Sequence, residues 1–271
     1  MLSVIVPASN EAGWIARCLG AVFASDPVPG GAEAIVVANG CRDDTAEVAR
    51  GVAVPPGWRL EVIERDQGSK PGALNAGDAA ARGGIRVYLD ADCTLSPPVL
   101  AQLATALAGE APLYAGATPV IPPARSALTR AYARFWRQLP FNHMVAPGYG
   151  LFAVNAAGRA RWGAFPPIIS DDTFVRLQFA PGERVQVPGH YDWPMVEGWR
   201  ALVRTRRRQD AGLRELEAMH PGLMSREGKP RLDKAGLARL ILRDPAGFAA
   251  YAAVSLAVRA GKAGPGFTRG R

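Results

Sequence analysis

Between residues 2 and 121, short β-rich runs alternate with stretches whose apolar residues recur at helical spacing. LSVIVP (2–7), AEAIVVA (32–38), RLEVIE (59–64), IRVYLDA (85–91) and PLYAGATPVI (112–121) read as strands. EAGWIARCLGAVFA (11–24), DDTAEVAR (43–50), KPGALNAGDAAARG (70–83) and SPPVLAQLATALAG (96–109) read as the helices between them. Strands separated by helices of this length build a largely parallel sheet with helices on both faces. The second helix opens on acids, as the helix dipole favours. Gly83 is expected to close the third, and Ser96 and Pro97 to stand at the N-cap and first position of the fourth. In such sheets ligands bind beyond the carboxyl ends of the strands. That rule gathers four loops on one rim: PASNE (7–11), NGCRDD (39–44), DQGSKPG (66–72) and DADC (90–93).

The alternation stops after residue 125. RSALTRAYARFWRQL (125–139) is helical, GYGLFAVNAAGRARWG (148–163) is a short strand then a short helix, SDDTFVRLQFA (170–180) is a helix and ERVQVP (183–188) a strand. From residue 196 onward the chain is mostly helical and basic. Of its 271 residues 48% are apolar and 21% charged, enough for a real core. The net charge of +8 is confined to one end: residues 195–271 hold 16 Lys/Arg against 7 Asp/Glu, whereas residues 1–194 hold 16 against 17. A basic tail points to an anionic partner. Cys18, Cys41 and Cys93 lie far apart without a CxxC spacing, against a disulfide framework or zinc site and in keeping with a reducing compartment. MLSVIVPASNE lacks a basic start, and Glu11 interrupts its apolar run, so no signal peptide is expected.

Asp90 and Asp92 end an apolar strand with Ala91 between them. In extended chain, residues two apart point to one side, so both carboxylates can aim at one point. Two bare carboxylates repel, which favours a cation between them. Mg2+ or Mn2+ suits such a site, taking one or two carboxylates and completing its shell with water and substrate phosphates. Asp171 and Asp172 form a second acid pair at a helix start, where one can cap or complement the dipole and the other can act as a general base. Lys70 precedes a helix N-terminus, a place suited to phosphate.

Taken together and in order, SVIVPASNE, VVANGCRDDTAEVA, KPGALNAG, YLDADC and SDDTFVRLQF resemble the family-two inverting glycosyltransferases of the GT-A fold, over about residues 2–190. The resemblance implies an α/β fold: a Rossmann-like, mixed and mostly parallel sheet flanked by helices. Residues 1–195 would be the catalytic domain, with a nucleotide-sugar half (1–120) and an acceptor and base half (121–195). Residues 196–271 would be a helical basic extension. It further implies that Pro7, Ser9 and Glu11 contact the base and ribose of a nucleotide-diphosphate sugar, and that Asn39 stands where the family usually has an acid reading the base. Lys70 would lie near the base or diphosphate, Asp90 would meet the ribose or metal, and Asp92 would hold Mg2+ or Mn2+. Asp172 would be the general base, with Asp171 in place of the usual Glu. His190 stands where some members carry a further metal ligand; a structural or acceptor-side role is the other reading. Ala38-Asn39 departs from the usual Asp-Asp, Gln178 from a frequent Arg, and RTRRRQD (204–210) only distantly echoes the Gln-x-x-Arg-Trp signature of processive synthases.

The function expected is transfer of a sugar to a sugar, lipid-linked or small-molecule hydroxyl acceptor, in bacterial glycan, glycolipid or polysaccharide assembly. The rivals are a sugar-nucleotide nucleotidyltransferase, whose usual basic Gly-rich loop PASNEAG lacks, and a non-catalytic nucleotide-sugar-binding module. No nucleic-acid motif is present. Loop 141–150, with Gly148 and Gly150, can line an acceptor pocket; Trp136, Trp162 and Trp193 suit either sugar stacking or core. Between Asp244 and Arg259 lie 14 uncharged residues, ~21 Å as a helix and too short to span a bilayer. Asp244 is expected as N-cap, Pro245 at the first position and Gly261 as the stop. The expected location is cytoplasmic, with this helix either docked on the catalytic domain or peripheral on an anionic membrane face.

Overall fold

The computed structural model describes residues 1–228, 230 and 232–260. Its sheet comprises β1 (Leu2–Ala8), β2 (Ala32–Asn39), β3 (Trp58–Arg65), β4 (Ile85–Leu89), β5 (Thr94–Leu95), β6 (Tyr114–Val120), β7 (Leu151–Val154) and β8 (Arg184–Asp192), in the order β3-β2-β1-β4-β7-β6-β8-β5. The first four sequence-read strands, β1 to β4, form a parallel block. β7 then runs antiparallel to both β4 and β6, β8 is parallel to β6, and β5 is antiparallel to β8. The sheet is therefore mixed and mostly parallel, as the resemblance implies.

β1 shows how the strand period divides the core. Val4 and Val6 pack with Ile15, Leu19 and Val22 of α1 (Ile15–Phe23) and with Leu100 and Leu103 of α4 (Val99–Ala106) on one face. Ile5 packs on the other face with Leu74 of α3 (Lys70–Ala80), Phe174 of α7 (Asp171–Arg176) and Leu216 of α8 (Gly198–Met219). Every residue of β2 is buried, including Glu33. That carboxylate accepts from Ser3 Oγ at 2.7 Å, Arg82 N at 2.7 Å and Arg59 Nη1 at 2.9 Å, which offsets the cost of its burial. α2 (Thr45–Arg50) completes the first half, and α6 (Ala156–Arg159) follows β7.

A third core cluster joins α5 (Ala127–Trp136), α8 and α10 (Pro245–Ala260) through Tyr132, Phe135, Trp136, Leu202, Val203, Ala250 and Val254. A boundary at residue 195 falls inside this cluster, because Met195 belongs to it. Asp244 caps α10 as expected, accepting from Gly247 N at 2.9 Å, and Arg134 of α5 grips the same carboxylate with two bonds of 2.8 Å. Gly261 lies outside the described residues. α9 (Lys234–Arg243) precedes α10 and buries none of its residues.

Two local expectations are corrected. α4 starts at Val99, and the Ser96 hydroxyl accepts from His190 N at 3.1 Å, not from the helix. Ser96 instead continues the β5–β8 ladder, its N–H donating to His190 O at 2.9 Å. α3 ends at Ala80, before Gly83. Gly83 is required by packing: a Cβ there would lie 2.7 Å from Met1 O.

Candidate active site

The rim loops and the second half of the chain enclose a cleft of about 400 Å3, within the range of small-molecule sites. Pro7, Ser9, Glu11, Asn39, Lys70, Asp90, Asp92, Asp171 and Asp172 all line it. His190 does not: it is exposed on β8 and tied through its backbone to Ser96. The structure does not bring His190 to the cleft, because strand alternation buries Tyr191 and turns its neighbour outward.

The loops at the rim hold one another. Asn10 adopts φ +57°, a left-handed conformation that Asn tolerates, and its Oδ1 accepts from Arg42 N at 2.8 Å. Asp43 accepts from Ala12 N at 3.2 Å, and Thr45 Oγ1 accepts from Glu11 N at 2.8 Å. Asn39 is buried and its Oδ1 accepts from Ser69 N at 3.0 Å, while Ser69 Oγ caps α3 by accepting from Gly72 N. Asn39 therefore fixes the loop that delivers Lys70, in addition to lining the cleft. Ser9 Oγ is buried beside the cleft with no hydrogen-bond partner among the described residues.

Lys70 links the two acid pairs. Its Nζ donates to Asp90 Oδ1 at 2.9 Å and lies 3.3 Å from Asp171 Oδ2. Burial disfavours the ammonium, but the Asp171, Asp90 and Asp172 carboxylates more than offset that and hold the lysine protonated. One ammonium among Asp90, Asp92, Asp171 and Asp172 leaves an excess of negative charge, which suits a divalent cation. Asp90 and Asp92 are both ligand candidates, Asp90 while also engaging Lys70. Among the described residues no three His, Cys, Asp or Glu side chains form a closed cage, and the buried Cys93 thiol beside Asp92 is pushed up in pKa by burial and by the Asp92 and Asp90 charges. Two carboxylates with room for water and phosphate fit Mg2+ or Mn2+ and not a thiolate zinc site.

Asp171 is 3% exposed, while Asp172 is half-buried. Burial first, then the Asp172 and Asp90 charges, push the Asp171 carboxyl up from 3.8 to about 6, against the pull of Lys70. The folded chain thus binds this proton more tightly than the unfolded one. The resulting stability is complete below about pH 4 and is lost as pH rises through about 6. Urea unfolding of the metal-free protein from pH 4 to pH 7 should show that decline, and Asp171→Asn should flatten it; an unchanged slope in the variant would assign the effect elsewhere.

The loop before β7 brings its backbone against the site. Gly148 and Gly150 have φ of +88° and +79°, and a Cβ on Gly150 would lie 2.5 Å from Trp193. Gly150 O accepts from Asp90 N at 2.9 Å, so this loop positions the first carboxylate directly. Tyr149 packs tilted against Trp193 at 4.7 Å and edge-on to Trp136 at 5.6 Å, and all three line the cleft. Trp162 does not: it is buried under the Arg159 guanidinium, 4.6 Å from its ring. Sequence reasoning missed the remaining wall. Leu202, Thr205, Arg206, Arg208 and Gln209 of α8 line the cleft. The signal was present as the helical spacing 202, 205, 206, 209 within a run read only as basic.

Comparison with known proteins agrees with this geometry. A model of "Glycosyl transferase family 2" matches residues 3–160. Glycosyltransferase AglE of Haloferax volcanii is 37% identical over 93 residues, which are 34% of this chain and 31% of AglE, so the chain spans under a third of that relative. Among solved structures, mannosyltransferase PcManGT of Pyrobaculum calidifontis, in complex with GDP-Man and Mn2+, superposes with a TM-score of 0.59 at 24% identity, over 97% of this chain and 76% of that one. TarS (1–349) of S. aureus with UDP-GlcNAc gives 0.55 at 13% identity, over 95% and 81%. Glucosyl-3-phosphoglycerate synthase of M. tuberculosis gives 0.52 at 23% identity, over 85% and 82%. These likenesses establish the fold as GT-A. With a family model covering more than half its length and a sheet built to the same plan, the chain belongs to glycosyl transferase family 2.

Proposed function

We propose that this cleft transfers a glycosyl group from a nucleotide-diphosphate sugar to an acceptor hydroxyl, with inversion at the anomeric carbon and dependence on Mg2+ or Mn2+. The observation that carries the reading is the joining of Asp90 and Asp171 through Lys70, at 2.9 and 3.3 Å, on one cleft with Asp92 and Asp172. Asp92, with Asp90, would hold the metal, which when bound neutralises charge developing on the departing diphosphate. Pro7, Ser9, Glu11 and Asn39 flank the nucleoside. Asp172 is better placed as general base than Asp171, being more exposed and not in contact with Lys70. The acceptor oxygen bonds to the anomeric carbon as the bond from that carbon to the diphosphate breaks, and the hydroxyl proton passes to Asp172. The comparison structures hold GDP-Man with Mn2+, and UDP-GlcNAc. A thermal-shift panel of GDP- and UDP-sugars, with and without Mn2+, therefore tests the reading: one donor class should raise Tm in a metal-dependent way, and a flat panel would remove the donor assignment.

The enzyme acts at the cytoplasmic face of a membrane, in glycan, glycolipid or polysaccharide assembly. Among the described residues no single helix is long and apolar enough to cross a bilayer; α9 and α10 are so only as a pair, by length and composition, and are bent by 117° where they join. The inner face of α10 docks through Gly247, Ala250 and Val254. Its outer face exposes Pro245, Ala246, Ala249 and Leu256, an uncharged stripe bracketed by Arg243 and Arg259. Leu256 is 65% exposed, and Leu242 at the elbow 82%. An apolar stripe with arginines at its ends suits an anionic interface. The protein should float with anionic liposomes at low salt, less at high salt, and Leu242→Asp with Leu256→Asp should abolish flotation. Wild-type protein left at the bottom of the gradient at low salt would refute the membrane placement.

A further inference from the structure

The α8 wall of the cleft has a chemistry opposite to that of the donor half. Among the described residues no acid apart from the Asp171–Asp172 pair lines this side, whereas Arg206 and Arg208 do. Leu202, Thr205, Arg206 and Gln209 share one helix face at spacings of three and four. The helix is pinned beside the proposed base. Gly212 packs against Ser170 Oγ and Ile169, where a Cβ would lie 2.9 Å from Ile169 Cβ, and Glu215 accepts from Ile169 N at 2.8 Å. Ile169 and Ser170 lead directly into Asp171 and Asp172, so residues one to two turns before Gly212 border the place where an acceptor hydroxyl meets Asp172.

Arg206 is preorganised. Its Nη1 donates to Tyr132 Oη at 2.9 Å, its guanidinium lies 5.6 Å from the Tyr251 ring, and the nearest acid, Asp210, is 4.0 Å away. Its side chain is 23% exposed. Thr205 lines the same wall, and its Oγ1 is buried without a hydrogen-bond partner among the described residues. A rigid guanidinium, a second arginine and an unpaired hydroxyl beside Trp136, Tyr149 and Trp193 form a surface for an oxyanion attached to an apolar or ring-shaped group.

We infer that the α8 wall, through Arg206, Arg208 and Thr205, binds a phosphate-class oxyanion carried by the acceptor. The assignment rests on the transferase reading above, because it is the proposed base that makes this side the acceptor's. The phosphate can belong to a soluble sugar phosphate or to a lipid phosphate, and the two are separated by the probe.

Affinities of the full chain are measured by calorimetry for inorganic phosphate, glucose 6-phosphate, geranyl phosphate, glucose and geraniol. The series is run with and without saturating GDP or UDP and Mn2+, which fill the donor half. One phosphorylated probe should bind at least about tenfold more tightly than its parent alcohol, as charge-assisted hydrogen bonds give. The favoured probe identifies the source of the phosphate. Arg208→Gln should remove most of that preference, while nucleotide affinity stays within about twofold. Gln209→Glu should do the same by placing a carboxylate beside the arginines, at an exposed position where folding is unaffected. Equal binding of phosphates and alcohols overturns the inference. So does a tenfold loss of nucleotide affinity in the variants, which would give the arginines to the donor. Phosphate preference in a chain that binds no nucleotide would overturn the transferase reading alone.

Discussion

Asp172→Asn should lower glycosyl transfer by roughly 10²- to 10⁴-fold, the range a positioned general base supplies, with the fold intact. The structure gives a reason for the second half of that expectation. Asp172 Oδ1 accepts from Thr173 N at 2.7 Å in the first turn of α7. An amide keeps that acceptor oxygen and loses the charge and basicity, so this local bond survives while proton removal does not. Donor affinity should change little, since the nucleoside-facing residues lie on the other rim. The decisive measurement is single-turnover transfer beside a nucleotide titration and a circular dichroism melt. Near-normal turnover in a folded variant would take the base role from Asp172 and leave Asp171 as the candidate. A raised carboxyl pKa near 6 is compatible with base chemistry at neutral pH, so the contrast between the two variants is informative in either direction.

Asp92→Ala should cost roughly 10²- to 10³-fold in transfer, comparable to removing one preorganised stabiliser of transition-state charge, and should abolish the Mn2+-dependent part of nucleotide binding. The side chain sits at the rim, half-buried, with Cys93 Sγ 3.7 Å from Oδ1. Asp90→Ala is expected to behave differently. It strips Lys70 of its shorter contact, 2.9 Å against 3.3 Å to Asp171, and so disturbs both acid pairs at once. Equilibrium titration of Mn2+ in the presence of nucleotide separates the cases. Unaltered metal dependence in Asp92→Ala would move the metal away from this strand end.

The donor half was legible because its information is local. β1 to β4 are short, β-rich runs bounded by turn residues, the helices between them have a period near four, and the rim position of each loop follows from the parallel order. Asp90 and Asp92 could be paired from spacing alone. The aromatic residues show where that logic ends. Trp136 and Trp193 border the cleft and Trp162 does not, although all three looked alike in the chain. The difference is set by Arg159, which covers Trp162, and by the glycines at 148 and 150, which let Tyr149 and Trp193 approach each other.

By itself the sequence determined the parallel block, the acid-bearing rim and the basic character of the last quarter, since each is carried by neighbours a few residues apart. Only the tertiary structure decided that Lys70 joins the two acid pairs, that Asn39 anchors the lysine's loop, that His190 faces away, and that α8 closes the cleft with arginines. Those relations depend on side chains brought together across the chain by packing. A contact of that kind leaves no period in the sequence, because its energy depends on where a distant helix is docked and not on the residues beside it.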